Sequence, residues 1–319
     1  MKMKKTLICA VVVSAMLLAF TSCGNTSNGN GNGGNSGTTS LTGNDGGNDS
    51  GSSSSSSSGG SSVETEKIPA SQRKTIDGKL GTYQKPYAPG DLIFDDGSAE
   101  PITSDLNLSE EQKEHAIAVI FFVGKGLNSD NTGTQESRTL GVGLKHSAKT
   151  LMWASSSANG YKVAIDPIKC PSTGSAPNYV FTGDRNGSDN LSQMSKFLKN
   201  QSDGGVDDDT ANDSLYPAFH WAKNYKNTFV RLVGTDYEDG WYLPSIAELC
   251  GIGKYLNYVD LGSSKCELTE FGKSGRDYWS STDITSNTSA SYMSFDASKQ
   301  TRGSSGKSQS MWVCAIREF

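Results

Sequence analysis

The 39 residues from Gly24 to Ser62 are almost all Gly, Ser, Asn, Thr and Asp. A run like this has too little apolar side chain to offset the entropy lost on ordering it, so a packed core has to be built from residues C-terminal to it. As a flexible coil it reaches roughly 35 Å root-mean-square, which makes it a spacer. Val63 to Pro89 continues in mixed composition with three prolines and scattered charge. The tether is therefore assigned to residues 23–89, and one folded domain of about 230 residues to 90–319.

Ahead of the spacer, Met1 to Lys5 carries three lysines and Leu7 to Phe20 is apolar. That run is too short to cross a bilayer and reads as an export signal, residues 1–22. Leu18-Ala19-Phe20-Thr21-Ser22-Cys23 resembles a bacterial lipoprotein cleavage box, with Phe20 where leucine is usual. It implies a lipid on Cys23 and a chain anchored to the bacterial envelope; the outer membrane and cell surface are the expected location, with the inner membrane left open. Plain secretion with a chance cysteine is the alternative. The formal net charge is −5 and no basic patch stands out, which argues against a nucleic-acid partner.

Within the domain, Asp91-Leu92-Ile93-Phe94 predicts a strand entering an Asp96-Gly97 turn. Ser109-Glu110-Glu111-Gln112 opens a short helix. The eight apolar residues Ala116 to Val123 predict a central buried strand. Further strands are expected at Leu140–Leu144, Thr150–Ala154, Tyr278–Thr282, Ser291–Phe295 and Ser308–Ile316. Helices are expected over Asn190–Lys199, within Ser214–Tyr225, and from Ser245, where Ser245-Ile246-Ala247-Glu248 is a capping box. Short strands and helices without a βαβ rhythm point to the α+β class, with small antiparallel sheets and a few helices. Cys170, Cys250, Cys266 and Cys314 show no CxxC spacing. Export would allow disulfides between them, but their apolar surroundings favour buried free thiols.

Chemistry-bearing patterns are scarce. His115, His146 and His220 have no ligand spacing, and no Gly-x-Ser-x-Gly elbow or phosphate-binding glycine loop occurs. Asp184-Arg185-Asn186-Gly187-Ser188-Asp189, and Asp207 to Asp209 with Asp213, offer oxygen ligands but do not fit an EF-hand loop. They read as solvated loops. The expectation is a non-enzyme with no catalytic residues, no metal and no cofactor.

Two motifs stand out: Gly240-Trp241-Tyr242-Leu243-Pro244-Ser245-Ile246-Ala247-Glu248-Leu249 and Tyr278-Trp279-Ser280-Ser281-Thr282. They resemble the signatures of bacterial C-type-lectin-like domains related in fold to the formylglycine-generating group. Phe295-Asp296-Ala297-Ser298 and Val313-Cys314-Ala315-Ile316-Arg317 match the family's later turn and final strand, with Ser298 in place of glycine and Cys314 in place of arginine. The resemblance implies a C-type lectin-like fold over 90–319, with Trp241, Trp279, Phe295 and Trp312 as scaffold. The glutamate–proline–asparagine signature of sugar-binding lectins is missing, so the likeness does not imply sugar. The catalytic cysteine pair of the formylglycine-generating enzymes has no counterpart either.

The C-terminal segment, residues 277–319, is further similar to treponemal variable proteins, lipoproteins diversified by a retroelement. In such systems an error-prone template copy changes codons only at adenines, so AAC or AAT positions reach Ser, Thr, Asn, Asp, Gly, Ala, Tyr and Arg but never Lys, Gln, Glu, Met or Trp. On that resemblance Met293, Lys299, Gln300, Lys307, Gln309 and Met311 are invariant. Asp283, Thr285, Asn287, Ser289, Tyr292, Ser294, Thr301, Arg302, Ser304, Ser305, Ser308 and Ser310 are the candidate variable, ligand-binding positions. The expected partner is a macromolecule, a protein, with the membrane reached only through the N-terminal lipid. The competing expectation is an envelope lipoprotein of structural or adhesive role whose terminal face does not vary.

Overall fold

A computed structural model describes residues 64–65, 68–129, 135–201, 212–272, 275–296 and 300–319. The signal segment, Cys23 and the Gly24–Ser62 run lie outside the described residues. The elements in chain order are β1 (Glu64–Thr65), β2 (Asp91–Phe94), β3 (Ala99–Pro101), α1 (Glu110–His115), β4 (Ala116–Lys125), β5 (Arg138–Gly143) and β6 (Leu151–Met152). Next come β7 (Ser172–Thr173), β8 (Val180–Phe181), α2 (Asn190–Gln201), α3 (Pro217–Lys223), α4 (Ile246–Lys254) and α5 (Leu256–Lys265). The chain closes with β9 (Arg276–Asp283), β10 (Ser289–Phe295), β11 (Gln300–Gly306), β12 (Ser310–Met311) and β13 (Ile316–Glu318). The architecture is α+β, with every strand pairing antiparallel.

The larger sheet runs β13-β5-β4-β2-β3, with β1 also pairing β4. β4 is buried from Ala116 to Gly124 because both of its faces are covered. A Cβ on Gly262 of α5 would fall 2.5 Å from Val119, and one on Gly251 of α4 would fall 3.2 Å from Phe121, so these helices lie close against one face. The other face meets aromatic side chains: Ile120 lies beside Phe319, and Tyr225 lies over Gly143. Two covered faces require a continuous apolar strand, which is the pattern in the sequence. Gly97, at φ +82, closes the β2–β3 turn. The predicted capping box forms at Ser245/Glu248, and the helix start expected at Ser109 proves to be a second one, Ser109/Gln112.

Several expectations are revised. Residues 68–89, whose composition suggested a tether, pack onto the domain: Tyr87 and Ala88 are buried, and the Asp91 carboxylate accepts from both their amides at 2.8 and 3.0 Å. Arg73 pairs with Asp91 at 3.4 Å. α5 is unanticipated, since Gly262 and two serines dilute its apolar stripe. The expected strand over Ser308–Ile316 breaks into β12 and β13, and Val313 to Ala315 run between them outside any strand while fully buried. Only Leu151–Met152 of the expected strand at Thr150–Ala154 is a strand.

One buried carboxylate joins the motif helix to the larger sheet. Glu248 Oε2 accepts from the amides of Ser245 (2.8 Å) and Gly187 (3.0 Å), and Oε1 accepts from the Tyr242 hydroxyl (3.0 Å) and Arg138 Nη1 (3.3 Å). Arg138, on β5, donates further to Leu127 O, the Tyr242 hydroxyl and Glu318 on β13. Burial pushes the Glu248 carboxyl up, while Arg138 and the amide donors favour its ionised form. Four donors on one carboxylate fit an anion, because a protonated oxygen would have to donate. Removing one side of a buried pair strands the other. Glu248→Ala is expected to cost about 3–5 kcal/mol in urea unfolding, and to cost more than Ser245→Ala, which removes one cap worth about 1 kcal/mol.

Candidate functional site

The twelve candidate positions run from the end of β9 to β12, on and around the smaller sheet, ordered β11-β10-β9. The register pairs Tyr292 with Gly303 and Ser294 with Thr301, and Met293 with Arg302 and Ser291 with Ser304. Paired residues share a face and neighbours alternate. One face of β10 and β11 therefore carries Ala290, Tyr292, Ser294, Thr301, Gly303 and Ser305. The other carries Ser291, Met293, Phe295, Gln300, Arg302 and Ser304. Met293 and Phe295 are fully buried on the second face, and a Cβ on Gly253 of α4 would touch Gln300 and Phe295, so this face lies on α4.

Thr285, Asn287, Thr301, Ser304 and Ser310 are exposed, and Ser289, Tyr292, Ser294, Arg302, Ser305 and Ser308 are half-buried. The strand pairing divides those on β10 and β11 between two faces: Tyr292, Ser294, Thr301 and Ser305 lie together, while Ser289, Arg302 and Ser304 look the other way. Tyr292 lies over Gly303, where a Cβ would sit 2.4 Å from its ring. β11 was not legible in the sequence. Its Thr-Arg-Gly-Ser-Ser-Gly run has little β propensity, and it is a strand because seven consecutive residues register against β10.

Asp283 does not belong to an exposed face. It is 1% exposed, and its Oδ2 accepts from Lys307 Nζ at 2.9 Å and from the Ile165 amide at 2.8 Å. Oδ1 accepts from the Ile284 amide. Lys307 is 0% exposed and donates also to Gly160 O (2.9 Å) and Val163 O (2.7 Å), with the Trp153 ring 4.8 Å away. Burial pushes the Asp283 carboxyl up and the Lys307 ammonium down. The hydrogen bonds decide the state: three acceptors around Nζ use three donors, which only the ammonium has, and Asp283 only accepts. The pair is ionised, and it binds β9, the 160–165 loop and the turn after β11 together.

Of the scaffold residues, Trp241, Trp279 and Phe295 are buried and Trp312 half-buried. Trp279 Nε1 donates to Leu151 O and Trp241 Nε1 to Tyr237 O. Trp312 lies under the Arg276 guanidinium at 4.7 Å and against His146 at 5.0 Å. Trp153, which the sequence places only in a short strand, is fully buried and donates to Ser280 O inside the second motif. Among the positions expected to be codon-invariant, Met293, Lys307 and Met311 are buried, Gln300 is half-buried and Gln309 is exposed. Lys299 lies outside the described residues.

The loop from Asp184 to Asp189 is not simply solvated. Asp184 and Arg185 are buried, Asp184 accepts from Asn186 N and Gln193 Nε2, and Arg185 donates to Asn128 O. Burial pushes the Asp184 carboxyl up to about 7. Asp207 to Asp209 lie outside the described residues. Among the described residues no group of three His, Cys, Asp or Glu side chains could hold a metal ion. Cys170, Cys250, Cys266 and Cys314 are free thiols, all but Cys250 buried. Burial pushes Cys250 and Cys266 up to about 11 and raises Cys170 and Cys314 further.

No protein-family model matches the chain, and no curated protein is significantly similar to it. A solved structure that resembles it is a fimbrial protein from Bacteroides ovatus ATCC 8483, at 15% identity and a TM-score of 0.47. The match covers 72% of this chain and 48% of the other, so the chain spans about half the length of that protein.

Asp283→Asn and Lys307→Met are each expected to destabilise by about 3–5 kcal/mol in urea unfolding, because each strands a buried partner. The double variant Asp283→Asn/Lys307→Met is expected to cost clearly less than the sum of the two single losses, and additive losses would show the two groups to be uncoupled. At pH 8 iodoacetamide is expected to label Cys250 at least about 100-fold more slowly than a free cysteine, since its thiolate is scarce. The other three thiols are expected to react only after denaturation.

Proposed function

We propose that this chain is a lipid-anchored protein of the bacterial cell surface. Its C-type-lectin-like domain binds a protein ligand through side chains that a retroelement replaces. The observation that carries this reading is the separation of two sets of residues in one short segment. Eleven of the twelve positions open to codon change reach solvent, while Met293 and Phe295, interleaved with them, and Trp279, just ahead of them, are buried. Replacing a half-exposed Ser or Thr leaves such a core unchanged, so the ligand-facing surface can vary without loss of the fold. A frame of aromatic side chains carrying Tyr, Ser, Thr and Asn is also how antibody loops combine rigidity with adaptable hydrogen bonding.

Asp283 is withdrawn from the variable set, since any neutral replacement leaves Lys307 buried without a counter-charge. The diversified face is proposed to comprise Tyr292, Ser294, Thr301 and Ser305 on one side of the sheet, flanked by Thr285, Asn287, Ser289, Ser308 and Ser310, with Arg302 and Ser304 at the edge. Neither metal nor cofactor enters the proposed binding.

Sequencing the DNA beside the gene tests this directly. The expected result is a near copy of codons 277–319 next to a reverse-transcriptase frame, differing from the gene only where the copy has adenine. Codon 283 is expected to be conserved between copy and gene. Without such a copy the proposal fails, and a non-varying envelope protein of structural or adhesive role takes its place.

A further inference from the structure

A cleft of about 410 Å³ opens between α4 and the β7–β8 hairpin, and its lining is mostly apolar. The buried rings of Phe121 and Phe122 on β4, with Leu127, form its floor. Its walls reach solvent: Tyr179, Cys250, Gly251 and Tyr255 are half-buried, and Val180 is 47% exposed. The space is left because α4 lines it with the small residues Ala247, Cys250 and Gly251, which at spacings of three and four fall on one face of the helix. Burial keeps the Cys250 thiol neutral, so it adds to the apolar wall. Lys254 is the one charged residue of the lining, it is exposed, and its Nζ lies 5.6 Å from the Tyr255 ring of the same wall. Among the described residues no carboxylate pairs with it. Apolar surface that reaches solvent inside a concave site, with a single polar group to fix orientation, is the usual form of a small-molecule site.

We propose that this cleft binds a free medium-chain fatty acid, its alkyl chain against the rings and its carboxylate at Lys254. At the ~30 Å³ that a water takes in the liquid, the cleft admits roughly 14 non-hydrogen atoms, about the size of a fatty acid of ten to twelve carbons. A single aromatic side chain of a protein partner would leave part of it empty. One cation, with the exposed Asn178 also in the lining, matches a monoanionic head. The unbranched chain can follow the irregular wall between helix and hairpin, and its burial removes apolar surface of both partners from water. The site lies apart from the Tyr292 face and stands whether or not that face varies.

The test is a titration of the full chain with decanoate, kept below its micelle-forming concentration and read by NMR at the Val180 methyls and the Cys250 and Gly251 amides. Decyltrimethylammonium supplies the same chain with the opposite head charge, and acetyl-phenylalanine-amide stands for a partner's side chain. The expected result is a saturable shift confined to the residues of the cleft, with decanoate binding more tightly than either control. Lys254→Gln is expected to weaken decanoate roughly two- to fivefold, the size of one exposed charge contact. Lys254→Glu is expected to reverse the order of the two amphiphiles, and neither change touches the core. Cys250→Trp fills the cleft and is expected to abolish binding; if it lowers the thermal midpoint, the Lys254→Glu result decides alone. No saturable shift, a response spread over the whole surface, equal affinity for the two amphiphiles, or tighter binding of the phenylalanine amide overturns the proposal.

Discussion

Glu248 is the carboxylate on which the rest of the arrangement depends. Taking an anion fully out of water is costly, and here the cost is offset by two backbone amides, a tyrosine hydroxyl and a guanidinium that all converge on it. Because those donors come from the α4 cap, the 185–188 loop, the segment before α4 and β5, the charge can be satisfied in only one relative placement of these parts. Arg138 extends the constraint to β13 through Glu318. The final strand is thereby located relative to the motif helix, and the smaller sheet that precedes it in sequence packs on that helix.

The second buried pair, Asp283 with Lys307, does for the smaller sheet what Glu248 does for the larger one. It ties the end of β9 to the turn after β11, so the strands between can carry small polar residues and still hold their register. This accounts for a segment poor in apolar side chains that is nevertheless well paired. Its order comes from Met293 and Phe295 on the α4 side, from Trp279 packed beside Tyr292 on the other, and from one ion pair at its end. Serines and threonines above them contribute little to either and are free to meet solvent. The same pair also limits what can vary, because Asp283 cannot change alone.

Strand alternation decides how the candidate positions relate to one another. A contiguous stretch of polar sequence suggests one surface, but a period of two sends Tyr292 and Arg302 to opposite sides. The sheet therefore offers a Tyr-bearing face and a separate Arg-bearing edge.

Much of the framework was legible in the residues. Ala116 to Val123 read as a buried central strand, Asp96-Gly97 as a tight turn, and Ser245 with Glu248 as a helix start, because these signals are local and depend on a short stretch of residues. The seat of the folded unit after the Gly24–Ser62 run comes from composition alone. What only the tertiary structure decided was every fact that depends on partners distant in sequence. Asp283 looks like any loop aspartate until Lys307, 24 residues on, is found beside it. Residues 68–89 look like a linker until Asp91 caps them, and Asp184 looks solvated until burial and Gln193 are seen. β11 has no strand pattern of its own and exists through its pairing with β10. Local propensity speaks for backbone conformation, but the placement of charge in a core is set by long-range contact, which no single stretch of sequence contains.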